Sequence, residues 1–187
     1  MRVSWCDMSR KRRAVRLTVM LPAMALFGCA AALHEQVDIA ARPAIVWDVL
    51  TDLARYPEWN PFTPRVEGAL AIGERVTLHV ALIPGRPPKT QRQRILDVDR
   101  KRLLTWETRL LHPALLRARR DQTLYAVAVG TRYTATDSLS GALVPLVMRL
   151  YRGDLERGFR AMTIALKARS EAIAAAIDRG EAQPPPP

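Results

Sequence analysis

Apolar and polar positions change their period twice along this chain. Residues 34–40, HEQVDIA, set Val37 and Ile39 between polar neighbours, and that alternation predicts a short strand. Pro43 suits the first turn of a helix. Ile45, Val46, Val49, Leu50 and Leu53 follow at helical spacing, which predicts an amphipathic helix over 43–54. The segment RYPEWNPF (55–62) ends it, because Pro57 and Pro61 lack the backbone donors a helix needs. The period then becomes two. In RVTLHVAL (75–82), Val76, Leu78, Val80 and Leu82 share one face. Runs over 90–98, 102–109, 121–129 and 131–139, punctuated by Pro84-Gly85-Arg86-Pro87-Pro88 and by Val129-Gly130-Thr131, predict an antiparallel meander. From Ala142 to about residue 178 the helical period returns, marked by Leu143, Val147, Leu150, Leu155, Phe159, Met162, Leu166, Ile173 and Ile177. Such a helix is roughly 50 Å long. Gly153 and Gly158 weaken its middle, and Gly180 suits its end. A lone antiparallel sheet has one apolar face to cover, and this helix is the natural cover. The expected class is α+β: a curved antiparallel sheet wrapped on a long C-terminal helix, with the domain over 34–179 and a Pro-rich tail over 180–187.

Composition refines this picture. The chain has 187 residues, 49% of them hydrophobic, enough for one sizeable core once the ends are set aside. The net charge of +11 is unevenly spread: residues 86–120 hold eleven basic side chains and three acids. Arg92, Arg94, Arg100, Lys101, Arg102, Arg117, Arg119 and Arg120 are expected to form a belt, either a solvated strand face or a contact for anionic lipid headgroups. Nucleic acid is not an expected partner, because no aromatic platform is interleaved with the charges.

The first 33 residues have the layout of an export signal. Arg10, Lys11, Arg12, Arg13 and Arg16 precede an uncharged run from Leu17 to Leu33. Within it Leu26-Phe27-Gly28-Cys29 resembles a bacterial lipobox. That likeness implies a signal peptide over 1–28, lipidation at Cys29, a short tether over 29–33 and an exported, membrane-anchored lipoprotein. An uncleaved anchor helix and ordinary cleavage at Ala30-Ala31-Ala32 are the other two readings of the same run. Met8 is a second candidate for the start. The only cysteines are Cys6 and Cys29, so the domain expected downstream holds no disulfide and no thiol nucleophile.

Catalytic signals are sparse. His34, His79 and His112 lack metal-ligand spacing, so no metal is expected. Ser138, Ser140 and Ser170 sit in no nucleophile elbow, and there is no Gly-rich phosphate loop, so no cofactor is expected. Asp48 and Asp52 fall on a helix face expected to be solvated. Glu107 alternates away from Leu104 and Trp106 and is expected to face solvent. Tyr125 and Tyr133 share phases with Val127 and Ala135 and are expected to face inward.

The stretch VDIAARPAIVWDVLTDLARYPEWNPF resembles the START-like SRPBCC superfamily, in its polyketide cyclase/dehydrase-like branch. Leu103-Leu104-Thr105-Trp106, Gly130-Thr131-Arg132 and Gly141-Ala142-Leu143-Val144-Pro145-Leu146 extend the likeness over about 34–175. It implies a helix-grip fold with an internal apolar cavity closed at one end by the RYPEWNPF corner, and a small hydrophobic ligand as partner. The ligand-binding residues so expected are Trp59, Trp106, Tyr125, Tyr133, Phe159, Met162 and Leu166. Similar members often carry a glutamate in the strand before the glycine of the last helix. This chain has Asp137 in that strand, and no role transfers to it. No catalytic residue emerges; ligand binding is favoured, with a cyclase/dehydratase or aromatase-type enzyme as the alternative.

Overall fold

The computed structural model describes residues 29–183. Its elements in chain order are β1 (Ala30–Ile39), α1 (Pro43–Thr51), a 3-10 turn (Leu53–Arg55), α2 (Tyr56–Trp59), β2 (Arg65–Glu67), β3 (Arg75–Val80), β4 (Lys89–Asp99), β5 (Leu103–Leu110), β6 (Leu116–Val127), β7 (Gly130–Ser140) and α3 (Val144–Asp178). The strands form one antiparallel sheet in the order β1-β7-β6-β5-β4-β3-β2. The first and last strands of the chain, β1 and β7, are therefore neighbours, and α3 lies across the concave face. This is the α+β helix-grip arrangement.

Strand alternation sets what faces the helix. Val76, Leu78 and Val80 on β3, Ile95 on β4, Leu104 and Trp106 on β5, Leu124 on β6 and Tyr133 and Ala135 on β7 point inward. They meet Phe159, Met162 and Leu166 of α3 and Ile45, Val46, Val49 and Leu50 of α1 in one core. Trp106 is 2% exposed, on the helix side of the sheet, in the register its sequence phase predicts.

Four sequence expectations are corrected. The first strand begins at Ala30, so residues 30–33 are not a tether; each pairs with β7, from Ala30↔Ser140 onward. Tyr125 is 55% exposed: the inward phase of β6 is the even one, with Leu124, Gln122 and Arg120. Glu107 does alternate to the convex face, yet it is buried, because Arg109 and Arg117 fold over its carboxylate. Arg120 is not part of a surface belt; it is buried on the concave side. The expected signal peptide, residues 1–28, lies outside the described residues.

The RYPEWNPF corner is built by local chemistry. Tyr56 is buried and its hydroxyl donates to the Leu50 carbonyl at 2.7 Å. Its ring meets Trp59 edge-on, 5.0 Å between centroids. The Asn60 side-chain oxygen accepts from the backbone N–H groups of Phe62 and Thr63 at 3.1 and 2.8 Å, which turns the chain and points Phe62 inward. Phe62 then packs edge-on against Phe159, at 5.1 Å. Gly158 is what admits that ring: a Cβ there would overlap Phe62. The sequence reads Gly158 as a weak point in α3, but its role is space. Gly158→Ala should therefore lower the melting temperature, although alanine at an unobstructed helix site gains roughly 1 kcal/mol over glycine. A melting temperature equal to or above wild type would show that Phe62 moves aside without cost.

Candidate ligand cavity

Between sheet and helix, at one end of the molecule, the core stops short of filling the space. A cavity of ≈ 270 Å³ remains, near the roughly 300 Å³ lower end of ordinary small-molecule sites. Its apolar walls come from Phe62, Leu78, Val80, Leu82, Leu116, Leu139, Val147, Leu155 and Phe159. Lys89 and Tyr151 stand at the rim, with the ammonium 5.8 Å from the ring centre.

The floor is polar. Arg120 engages Asp137 through both carboxylate oxygens, at 2.6 and 3.2 Å. The two residues are paired across β6 and β7. The guanidinium also lies over the Phe159 ring, 4.1 Å from its centroid, and points one nitrogen at the Met162 sulfur, 3.9 Å away. Burial pushes the Asp137 carboxyl above its ordinary range, against the opposing pull of Arg120. Two further polar atoms on the wall, Gln93 Oε1 and Thr63 Oγ1, are buried without a hydrogen-bond partner among the described residues. Leaving such an atom unmade costs about 1–3 kcal/mol, and a ligand with a matching polar group would relieve it.

Deeper under α3, Tyr133 donates to Gln122 Oε1 at 2.9 Å, and burial drives the phenol's pKa well up. Of the seven expected binding residues, Phe159 lines the cavity. Trp106, Tyr133, Met162 and Leu166 face inward but belong to the packed half of the core. Trp59 is buried at a second, shallower concavity of ≈ 190 Å³ between α1 and α3, whose rim carries Asp48, Asp52, Arg55 and Arg169. Tyr125, on the convex face, lines neither. Sequence reasoning missed Arg120, Asp137, Gln93 and Thr63. Arg120 was hidden in an arginine-rich run, and its partner seventeen positions on is only visible once β6 and β7 are paired.

The three histidines stand apart. His34 meets the Thr136 hydroxyl at 3.1 Å, His79 meets Glu67 at 3.3 Å, and His112 accepts from the Ala114 N–H at 3.1 Å. Among the described residues no group of His, Cys, Asp or Glu could hold a metal ion. Also among them, no helix is long and apolar enough to cross a membrane.

The sequence profile described as polyketide cyclase / dehydrase and lipid transport matches residues 30–179. The chain belongs to that family. Solved structures agree on the fold. The Zhui aromatase/cyclase of Streptomyces sp. R1128 is 21% identical, with a TM-score of 0.60 over 81% of this chain and 97% of its own. Protein MLL2253 of Mesorhizobium loti is 20% identical, with a TM-score of 0.59 over 80% and 98%. Norcoclaurine synthase of Thalictrum flavum, solved with dopamine and hydroxybenzaldehyde, is 13% identical, with a TM-score of 0.58 over 75% and 86%. No curated protein matches the sequence. Members of this polyketide cyclase-like family share the helix-grip frame of the SRPBCC superfamily, and the cavity described above lies inside that frame.

Proposed function

We propose that the protein binds a small hydrophobic or lipid-like molecule in the cavity beneath α3, as an exported domain held at a membrane by lipidated Cys29. The observation that carries the binding is the cavity itself: apolar walls, a buried Arg120–Asp137 pair as floor, and two polar wall atoms with no hydrogen-bond partner among the described residues. Packed cores contain few voids larger than a water molecule. The norcoclaurine synthase structure with dopamine and hydroxybenzaldehyde shows that one helix-grip relative holds small aromatic molecules. Support for the membrane tether is the uncharged run Leu17–Leu33 and the Leu26-Phe27-Gly28-Cys29 sequence, with Cys29 exposed beside β1.

The alternative, cyclase/dehydratase or aromatase-type chemistry, is favoured by one observation: Asp137 puts a carboxyl with a raised pKa on the cavity wall. Arg120 bonds both its oxygens, however, and a carboxylate held in such an ion pair is a weaker proton acceptor than a free one. Binding without turnover is therefore the reading adopted.

The test is direct. The purified protein should release a small apolar molecule on solvent extraction, detected by mass spectrometry. After extraction it should enhance the fluorescence of 1-anilinonaphthalene-8-sulfonate, and Ala118→Phe, which puts a ring into the cavity from its β6 wall, should abolish that enhancement. No extracted molecule and no response to the dye would mean the space is structural. Metabolic labelling with a fatty-acid analogue, compared with Cys29→Ser, tests the tether; an unlabelled wild type would refute it.

A further inference from the structure

The sheet register gathers four chain segments at one end of the molecule. They are Cys29 and the start of β1, the β3–β4 connection, the β5–β6 hairpin, and the junction of β7 with α3. Three of them are pinned together by backbone hydrogen bonds. Gly141 N–H donates to the Cys29 carbonyl at 3.1 Å, and Ala142 and Leu143 donate to the Ala114 and Leu115 carbonyls at 2.9 Å. Gly141 allows this approach: its φ is +122°, and a Cβ would sit 2.5 Å from the Leu115 carbonyl oxygen.

That end is apolar where water should rule. Leu110, Leu111 and Leu115 of the β5–β6 hairpin and Leu146 and Leu150 of the first turns of α3 are exposed. Leu111 is the extreme case, 91% exposed on a backbone with φ +57°, a region glycine occupies readily and a branched residue does not. The same end carries an excess of positive charge. Residues 29–34, 80–91, 108–119 and 138–153 hold seven Arg and Lys side chains and no Asp or Glu; Arg109 and Arg117 pair with Glu107, Arg119 with Asp121 and Arg152 with Glu156, which leaves Arg86, Lys89 and Arg149 without an acidic partner among the described residues. Acids gather at the far end, with Glu67, Glu74, Asp97 and Asp99. The cavity reaches this end too, between Leu82, Lys89, Leu116, Val147 and Tyr151.

We infer that this end docks on an anionic phospholipid surface. The exposed leucines enter the boundary between headgroups and acyl chains, and Arg86, Lys89, Arg149 and Arg152 lie at headgroup level. The chain supplies the orientation: Cys29 emerges here, and the preceding sequence is the uncharged run that begins at Leu17. The cavity mouth then faces lipid, so an apolar ligand passes between bilayer and cavity without crossing water. That last step rests on the proposed ligand binding; the docking does not.

The test uses residues 29–183 with Cys29→Ser, which contain every strand, α3 and the whole core, and correspond to solved domains of the same extent. This protein should bind phosphatidylcholine vesicles containing phosphatidylglycerol, bind phosphatidylcholine alone far less, and lose affinity as salt rises. Leu111→Asp with Leu150→Asp should weaken binding on the order of a hundredfold, roughly tenfold for each leucine kept from apolar contact. Val129→Asp, an exposed apolar residue on the opposite β6–β7 hairpin, should change nothing. Circular dichroism melting and the dye response of the cavity should match wild type in all variants, so a failure of docking is separable from a failure of ligand binding. Three results would each overturn the inference: no binding to either vesicle, equal losses from Val129→Asp, or a dimer in solution that Leu111→Asp dissolves. The last would assign the leucine end to a second copy of this chain. Arg92→Glu with Arg94→Glu, exposed arginines of β4, abolishing binding while the leucine variants retain it would also overturn it, in favour of the convex face.

Discussion

Arg120→Met should destabilise the domain by about 3–5 kcal/mol, while Arg120→Met combined with Asp137→Leu should fall close to wild type. The single change leaves a carboxylate on the cavity floor without its guanidinium; the double change replaces a buried ion pair by apolar side chains of similar size. The sign of the pH dependence distinguishes this from simple loss of packing. Burial already raises the Asp137 carboxyl, and removing Arg120 takes away the group that opposes the shift. A carboxyl with a raised folded-state pKa contributes stability at low pH that is lost as pH rises through that pKa. The penalty of Arg120→Met should therefore shrink on acidification, when Asp137 accepts a proton. Asp137→Asn leaves an arginine that stays charged, so its penalty should not shrink in the same way. Urea unfolding across a pH series measures both; a penalty for Arg120→Met that is flat with pH would remove the charge argument.

Phe159→Ala should cost about 3 kcal/mol, the low end of the range for truncating a buried phenylalanine. The ring has lost partners on one side already, where it borders the cavity, but it holds Phe62 edge-on at 5.1 Å and lies beneath the Arg120 guanidinium at 4.1 Å. Its removal should also merge its own volume with the existing space. Bulkier apolar dyes, rejected by wild type, should then bind. A loss above about 5 kcal/mol would mean that the surroundings are as tightly packed as an ordinary core and the cavity plays no part.

The fold was legible because period carried it. Val76, Leu78 and Val80, or Leu104 and Trp106, alternate cleanly, and their phase gave the correct face. Tyr125 shows where period runs out. Odd and even positions of β6 both carry apolar residues, Leu124 against Tyr125 and Ala126 against Val127, so alternation cannot choose between faces. The actual strand starts at Leu116 and runs through Arg117, Arg119 and Arg120, where arginine's long apolar stem lets it serve on either face. Glu107 was placed on the correct side of the sheet, but its burial under Arg109 and Arg117 depends on a neighbouring strand that local sequence does not reveal. The cavity floor is a property of β6 against β7, and its chemistry became visible only with their register.

The pairing of β1 with β7 carries a kinetic consequence. Ile39 meets Thr131 and Ala30 meets Ser140, contacts separated by 92 and 110 residues of chain. A strand joined at such a distance must wait for almost the whole domain to be synthesised, and closing so long a loop is slow. During translation the N-terminal strand therefore has no strand partner until β7 has been made. The export proposed above would gain from a topology that postpones its own completion. Moving β1 to the C-terminus by circular permutation should lift that delay, and refolding should accelerate; an unchanged refolding rate would show that the β1–β7 closure does not limit folding.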